Sequence, residues 1–381
     1  MEYKIDRNRL SQTFITLCEI DSPSRREKGV ADYLRRVFLE LGASSVTEDN
    51  SAEQTGSNTG NLIVRFDSGR PDHEKLFFCC HMDTVEPGSG VKVDLSDGLF
   101  TSRGETILGG DDKSGIAAII EMVHLLQDNR AAHDGFELIF TTCEEVGLLG
   151  AKALDHSSVR ARYGYALDST GINRVITGAP AANRMKIEVH GIAAHAGLNP
   201  ENGVSAFCLA ARAIADLRLG RLDDQSTANF GLIQGGIATN IVPDLITIEG
   251  EVRSHSVEKL KSYTKEIEST FLRVTQDWIG RTPSFSQQPW VDVRVQMEYP
   301  AMRLDDGEEV IRRVAAAGNR LGRQLNFEVA GGGSDANILN DYGLATAIIA
   351  TGMNKVHTTD ECLKLDDLCS LTELLYQIVT L

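Results

Sequence analysis

Thr141-Thr142-Cys143-Glu144-Glu145-Val146-Gly147 follows the apolar, β-rich run Phe136-Glu137-Leu138-Ile139-Phe140, and this junction decides how the chain is read. A strand that ends in two carboxylates cannot bury both unpaired, because an isolated ionised carboxylate in a dry interior is very costly. Taken alone, Glu-Glu reads as a solvated strand end. Two more junctions change that reading. His81-Met82-Asp83 closes the apolar run Leu76-Phe77-Phe78-Cys79-Cys80, and Gly109-Gly110-Asp111-Asp112-Lys113 opens a helical pattern. Acids and imidazoles recur where predicted strands stop, which is where open α/β sheets build their sites.

Outward from these junctions the pattern is α/β. Leu10, Phe14, Leu17 and Cys18 have helical spacing, as do Val30, Leu34, Val37, Phe38 and Leu41 before a fitting stop at Gly42. The polar run 48–60 reads as a loop. Asn61 to Phe66 and Leu76 to Cys80 read as strands, the second without polar alternation, as in a strand covered on both faces. From Ser114 onward Ile116, Ile119, Ile120, Val123 and Leu126 predict a helix, so Asp111 and Asp112 stand at its N-terminus, where partial positive charge favours carboxylates. Tyr165-Ala166-Leu167 is another buried strand, ending in Asp168.

Near Gly178 the pattern changes. Met185 to His190 alternates strictly, so one face of that strand is wet. A helix follows, then strands near 228–232 and 245–252, a long helix from Val257 to Trp278, and an alternating strand at Val291 to Val295. That β-α-β-β-α-β order fits a ferredoxin-like module of about 120 residues. It reads as an insertion, because α/β patterning resumes after Pro300 with a helix through Val310 and Leu321, an apolar strand from Leu344 to Ala350, His357 just beyond it, and a closing helix. The predicted domains are 1–177 with 301–381, and 178–300.

Composition bounds the partners. With 381 residues, two domains are the default, and an apolar share of 42% suffices for ordinary cores. A formal charge of -16 argues against nucleic acid and anionic membrane. Seven scattered cysteines form no C-x-x-C pair, so neither a disulfide framework nor a zinc ribbon is indicated. Adjacent Cys79 and Cys80 within a strand suggest a reducing, cytoplasmic setting. No run reaches the roughly 18 apolar residues of a membrane span.

His81, Asp83, Asp111, Glu144, Glu145, Asp168 and His357 therefore form one candidate constellation. Imidazoles and carboxylates in this number suit zinc, with cobalt or manganese admitted by the same ligand types, and their surplus over one tetrahedral site suggests two cations sharing a carboxylate.

The ordered set His-x-Asp-Thr, Gly-Gly-Asp-Asp-Lys-x-Gly, Glu-Glu-x-Gly, Leu-Asp-Ser and a late Val-His-Thr resembles the dizinc exopeptidase family of peptidase T, which also includes glutamate carboxypeptidase and acyl-amino-acid deacylases. The resemblance runs from about residue 20 to the C-terminus. It implies a mixed-sheet catalytic domain with an inserted ferredoxin-like lid, acting on a small peptide. By position it assigns His81 and Asp168 to one zinc ion, Glu145 and His357 to the other, and Asp111 to both. Asp83 would accept a hydrogen bond from the His81 ring. Glu144 would be the general base toward a water held between the metals. In the lid, Gly191-Ile192-Ala193-Ala194-His195 matches the family's Gly-x-x-x-His segment, and His195 would donate to the tetrahedral oxyanion from its own subunit or a partner's.

Specificity is less legible. Asn240 and Arg253 resemble the lid groups that hold a substrate carboxylate, Arg253 bidentately. Gly332, Gly333 and Ser334 form a turn into a helix whose backbone N–H groups could bind an anion. Gly331 departs from the arginine that peptidase T has at that place, so tripeptide length preference does not follow from this loop. The expectation is a tripeptide aminopeptidase; the alternatives are a deacylase or carboxypeptidase of the same family, or a metal-binding protein without catalysis. Alternating lid strands leave edges that could pair, so a homodimer through the lid is a further expectation.

Overall fold

Four strands lie parallel at the heart of the larger sheet: Phe136–Thr141, Leu76–His81, Tyr163–Ala166 and Ala345–Ile349, in that spatial order. They are almost wholly buried on both faces, which is why their sequences lack polar alternation. Antiparallel strands Leu62–Phe66 and Ser45–Glu48 extend one side, and Arg174–Ala179 with its neighbours Met302–Arg303 and Asn326–Val329 the other. The computed structural model describes residues 4–68, 76–279 and 287–381. The chain divides into two units, Met1–Gly178 with Met302–Leu381, and Ala179–Ala301.

Helices Arg7–Cys18, Lys28–Glu40, Gly110–Asp128, Glu309–Arg320 and Leu365–Thr380 bury apolar stripes against this sheet and one another. Leu10, Phe14, Leu17 and Cys18 are fully buried, as their spacing predicts. Each fully buried Leu or Phe contributes about 1.5–3 kcal/mol, so a core of this size holds the strand ends rigidly. Helix Gly110–Asp128 comes unusually close: a Cβ on Gly115 would stand 2.7 Å from Leu167 Cβ and 2.8 Å from Cys80 Sγ.

The second unit is a five-stranded antiparallel sheet in which Ala181–His190 is flanked by Leu245–Ser254 and Trp290–Tyr299. Its helices Ala206–Ala215 and Val257–Ile279 cover one face around Ile187, Val189, Leu209, Ile248 and Phe271. A two-residue strand, Gly220–Arg221, is added to the expected order. Sequence periodicity also misses a small sheet made by Val93–Ser96, Leu99–Ser102 and Cys362–Lys364, and a short helix Ala52–Thr55 inside the polar run read as loop. These pieces are two to four residues long, too short for a period to register. No helix among the described residues is long and apolar enough to cross a membrane.

Candidate metal centre

All four parallel strands point their carboxyl ends at one edge, and the N-terminus of Gly110–Asp128 opens there. His81 is the last residue of its strand, Glu144 and Glu145 follow Thr141 in a turn, Asp168 follows Ala166, and His357 follows the loop after Ile349. Cys143 and Gly147 take positive φ, 54° and 107°, so the backbone doubles back and both glutamates stay at the sheet edge.

Asp111 is the hub. Its Oδ1 lies 3.0 Å from His81 Nε2, and its Oδ2 lies 3.3 Å from His357 Nε2. Glu145 Oε1 is 3.0 Å from the same His357 nitrogen. Donor atoms of His81, Asp111 and Glu145 all lie within 4.8 Å of one another. Asp111 turns out of the helix ladder, with φ -82° and ψ 107°, which frees its carboxylate for this arrangement.

Asp83 faces the His81 ring, as expected, and holds a second group as well. The His81 Nδ1 lies 2.9 Å from the Asp83 backbone oxygen and 3.5 Å from its Oδ1. The carboxylate also accepts the backbone N–H groups of Glu144 (2.9 Å) and Glu145 (3.2 Å) and the Ser24 hydroxyl (2.6 Å). The reason is geometric: the Glu144–Glu145 turn presents unsatisfied N–H groups, and a fully buried carboxylate is drawn to them. Asp83 thus fixes both the imidazole and the glutamate turn.

Acids outnumber cationic groups here. Glu144, Asp168 and Asp335 join Asp111 and Glu145 around the imidazoles of His81 and His357. Burial, then repulsion from Asp168, pushes the Glu144 carboxyl well above its usual range. Lost hydration, then Asp111, pushes Asp168 up to about 8. Hydrogen bonds to Asp111 and Glu145 raise His357 to about 10. Burial opposes a charged His81 ring, yet its hydrogen bonds to Asp111 and Asp83 still raise it well above its usual value. For Asp111 burial again opposes, and the two rings win, holding it below the carboxylate range. A crowd of carboxylates in which each hub oxygen faces one imidazole nitrogen fits a pair of divalent cations, with the imidazole protons standing where metal would be.

Asp335 escaped the sequence reading. It is 4% exposed, its Oδ2 accepts the Thr141 hydroxyl at 2.5 Å, and its Oδ1 has no hydrogen-bond partner. Burial pushes it up to about 6. Its only sequence signal was the strand-end rule applied to Thr141, its partner. The neighbouring turn is corrected too. Ser334 caps its helix: its hydroxyl accepts from Ala336 and its own N–H donates to Asn337, so Ser334 is committed locally rather than open to an anion. Gly332 and Gly333 lie beside it, half-buried.

Within the second unit, His195 Nδ1 accepts the N–H groups of Gly197 (3.2 Å) and Leu198 (3.1 Å). That leaves the proton on Nε2, the tautomer of an outward donor. Its loop is pinned to the Asn240 loop, where Ala196 N–H donates to the Asn240 carbonyl at 2.9 Å. Arg253 already has a carboxylate: its guanidinium donates to Glu251 Oε2 at 2.9 Å, while its buried Nε has no partner. The expected fork toward substrate is therefore half engaged within the strand.

Beside the cluster lies a cleft of about 470 Å³ bordered by Pro23, Arg26, Val85, Glu86, Glu145 and Val146. One wall is thus a proposed ligand, and the others mix apolar and charged groups.

Residues 177–277 match the family described as Peptidase dimerisation domain, and residues 61–196 the one described as Peptidase family M28. Over 376 residues the chain is 37% identical to the uncharacterized protein YqjE of Bacillus subtilis, covering 98% of each. It is also similar to two solved structures. One is the aminopeptidase PepT of Bacillus cereus, at 37% identity and TM-score 0.90, over 99% of this chain and 98% of that one. The other is a tripeptidase of Staphylococcus aureus, at 34% identity and TM-score 0.92, with the same coverage.

Proposed function

The chain belongs to the metal-dependent exopeptidase family of peptidase T, and from that premise we propose that it removes the N-terminal residue of short peptides, tripeptides above all, using two zinc ions. His81 and Asp168 would hold one, Glu145 and His357 the other, with one oxygen of Asp111 toward each. When bound, such cations make water acidic enough to deprotonate near neutral pH and polarise a carbonyl. The chain's own groups do the rest. Glu144 takes the proton from the attacking water as its oxygen bonds to the scissile carbon. It returns that proton to the amine nitrogen as the C–N bond breaks. His195, from this chain or from a partner's, would donate its Nε2–H to the oxyanion. Asn240 and Arg253 would be the groups of the second unit toward a substrate carboxylate, and the Gly332-Gly333 backbone that of the first unit. Burial raises the Glu144 carboxyl, which makes its ionised form a stronger proton acceptor toward the attacking water.

The observation that carries this reading is Asp111 with one imidazole on each oxygen and the Glu144–Glu145 turn anchored alongside. A panel of free tripeptides, N-acetyl and N-succinyl amino acids, assayed after chelator treatment and reloading with zinc, cobalt or manganese, tests it. Turnover of tripeptides is expected; turnover confined to acyl compounds would replace the aminopeptidase reading. That second reading is a deacylase or carboxypeptidase; Gly331, standing where peptidase T has an arginine, leaves the length preference to the same panel.

Pairing of two copies through the second unit is part of the proposal. Among the described residues, strand Ser226–Gly235 is paired on its outer side by Gly220–Arg221 only at Ala228 and Thr227, so residues 229–235 form a free edge carrying exposed Leu232 and Ile233. The match to a dimerisation family covers this strand. All seven cysteines are unpaired, which suits a cytoplasmic setting.

A further inference from the structure

Glu361 is 1% exposed and, among the described residues, no lysine or arginine pairs with it. Its carboxylate accepts three backbone N–H groups from the turn that carries Asp111. Oε2 takes Leu108 at 2.9 Å and Gly109 at 2.8 Å, and Oε1 takes Asp111 itself at 3.1 Å. The turn is shaped for it. Gly109 adopts φ +76°, and a Cβ on Gly110 would stand only 3.1 Å from Glu361 Oε1. Glu361 closes the same short loop that carries His357, with its N–H bonded to the Thr358 carbonyl at 3.1 Å. Beyond it, Cys362–Lys364 is fixed by pairing with Leu99–Thr101.

From this we infer that Glu361 is a positioning residue that sets the spacing between Asp111 and His357, and so the affinity for both cations at once. The inference rests on the two-cation reading above. The Asp111 N–H would otherwise seek the helix ladder or water; bonded to Glu361 it holds the backbone at the non-helical ψ of 107° that points the carboxylate at both imidazoles. One side chain thereby ties together two ligand segments that lie about 250 residues apart in sequence. A simple helix cap would stabilise the fold and leave the cations indifferent; a clamp moves the hub shared by both.

The test is cobalt titration of the full chain after chelator treatment, following stoichiometry, dissociation constants and the visible d–d absorption. Circular dichroism and melting of the metal-free protein are recorded alongside. Glu361→Gln is expected to fold, to bind both ions about 10- to 100-fold more weakly and together, and to show altered d–d intensity. Glu361→Asp should fall between it and the parent. His357→Ala, a change to one terminal ligand, should weaken one ion more than the other. Wild-type affinity in folded Glu361→Gln, or weakening of one ion only, overturns the inference while leaving the proposed function standing. Should Glu361→Gln fail to fold, Glu361→Asp decides: intermediate affinity for both ions supports the clamp and wild-type affinity rejects it. If the parent chain binds no pair of cobalt ions, the proposed function itself fails and the clamp falls with it.

Discussion

Glu144 and Glu145 are neighbours in sequence with different tasks, and substitution should separate them. Glu144→Gln keeps the shape of the turn and removes the proton acceptor. Turnover should fall by about 100- to 10,000-fold with both cations retained, as metal analysis of the purified variant would check. Asp111→Ala should instead lose both cations, since among the described residues no other carboxylate has an imidazole on each oxygen. Asp83→Asn leaves a side chain of the same size but removes the charge that holds the Glu144 and Glu145 N–H groups. A decrease of about 10- to 100-fold in kcat with little change in KM is expected, and an unchanged kcat would deny Asp83 its role in holding the turn. His81, Asp111, Glu144 and Glu145 are legible in the sequence because each stands where an apolar strand ends or a helix begins, and His357 because it lies beyond the last apolar strand in a motif that resembles the family's. Asp335 and Glu361 are not. Aspartate opening a helix is an ordinary cap, and the partners of Glu361 lie far away along the chain, where no local spacing can announce them.

At the scale of elements, the site depends on how closely helix Gly110–Asp128 lies on the sheet. Gly115 permits that approach, facing Cys80 on one strand that ends in a proposed ligand and Leu167 just past the end of another. Gly115→Ala should destabilise the fold by about 1–3 kcal/mol in a urea titration of the metal-free protein. A change under about 0.5 kcal/mol would show that the contact is looser than described. The four central strands are readable as continuous apolar runs, and the long helices as helical periods sustained over several turns. The small Val93–Ser96, Leu99–Ser102 and Cys362–Lys364 sheet is not, since its strands are three or four residues long and their pairing joins distant segments. That sheet fixes the segment just after Glu361, so the part of the fold hidden from sequence reading is also a part that steadies the site.

For the molecule as a whole, bound cations should add stability that a chelator removes. At a metal concentration about 100 times the dissociation constant the gain is about 2.7 kcal/mol, visible as a melting temperature that rises with added zinc or cobalt. The free edge at residues 229–235 leads to a second expectation. The chain should sediment as a dimer, and Ile233→Glu should shift it toward monomer without altering the metal content of the first unit. The division into two units follows from a change of period that is plain in the sequence near Gly178, from buried continuous strands to half-wet alternating ones. What each unit's loops hold was not readable in the same way: Arg253 is half engaged by Glu251, and Ser334 by its own helix cap.

The most direct measurement is anomalous scattering at the zinc edge from crystals of the zinc-loaded chain. Two peaks are expected, one on each side of the Asp111 carboxylate, with Glu144 adjacent to both and bound to neither. A single peak, or a pair that leaves Asp111 uncoordinated, would contradict the shared-carboxylate centre on which the proposed hydrolysis depends.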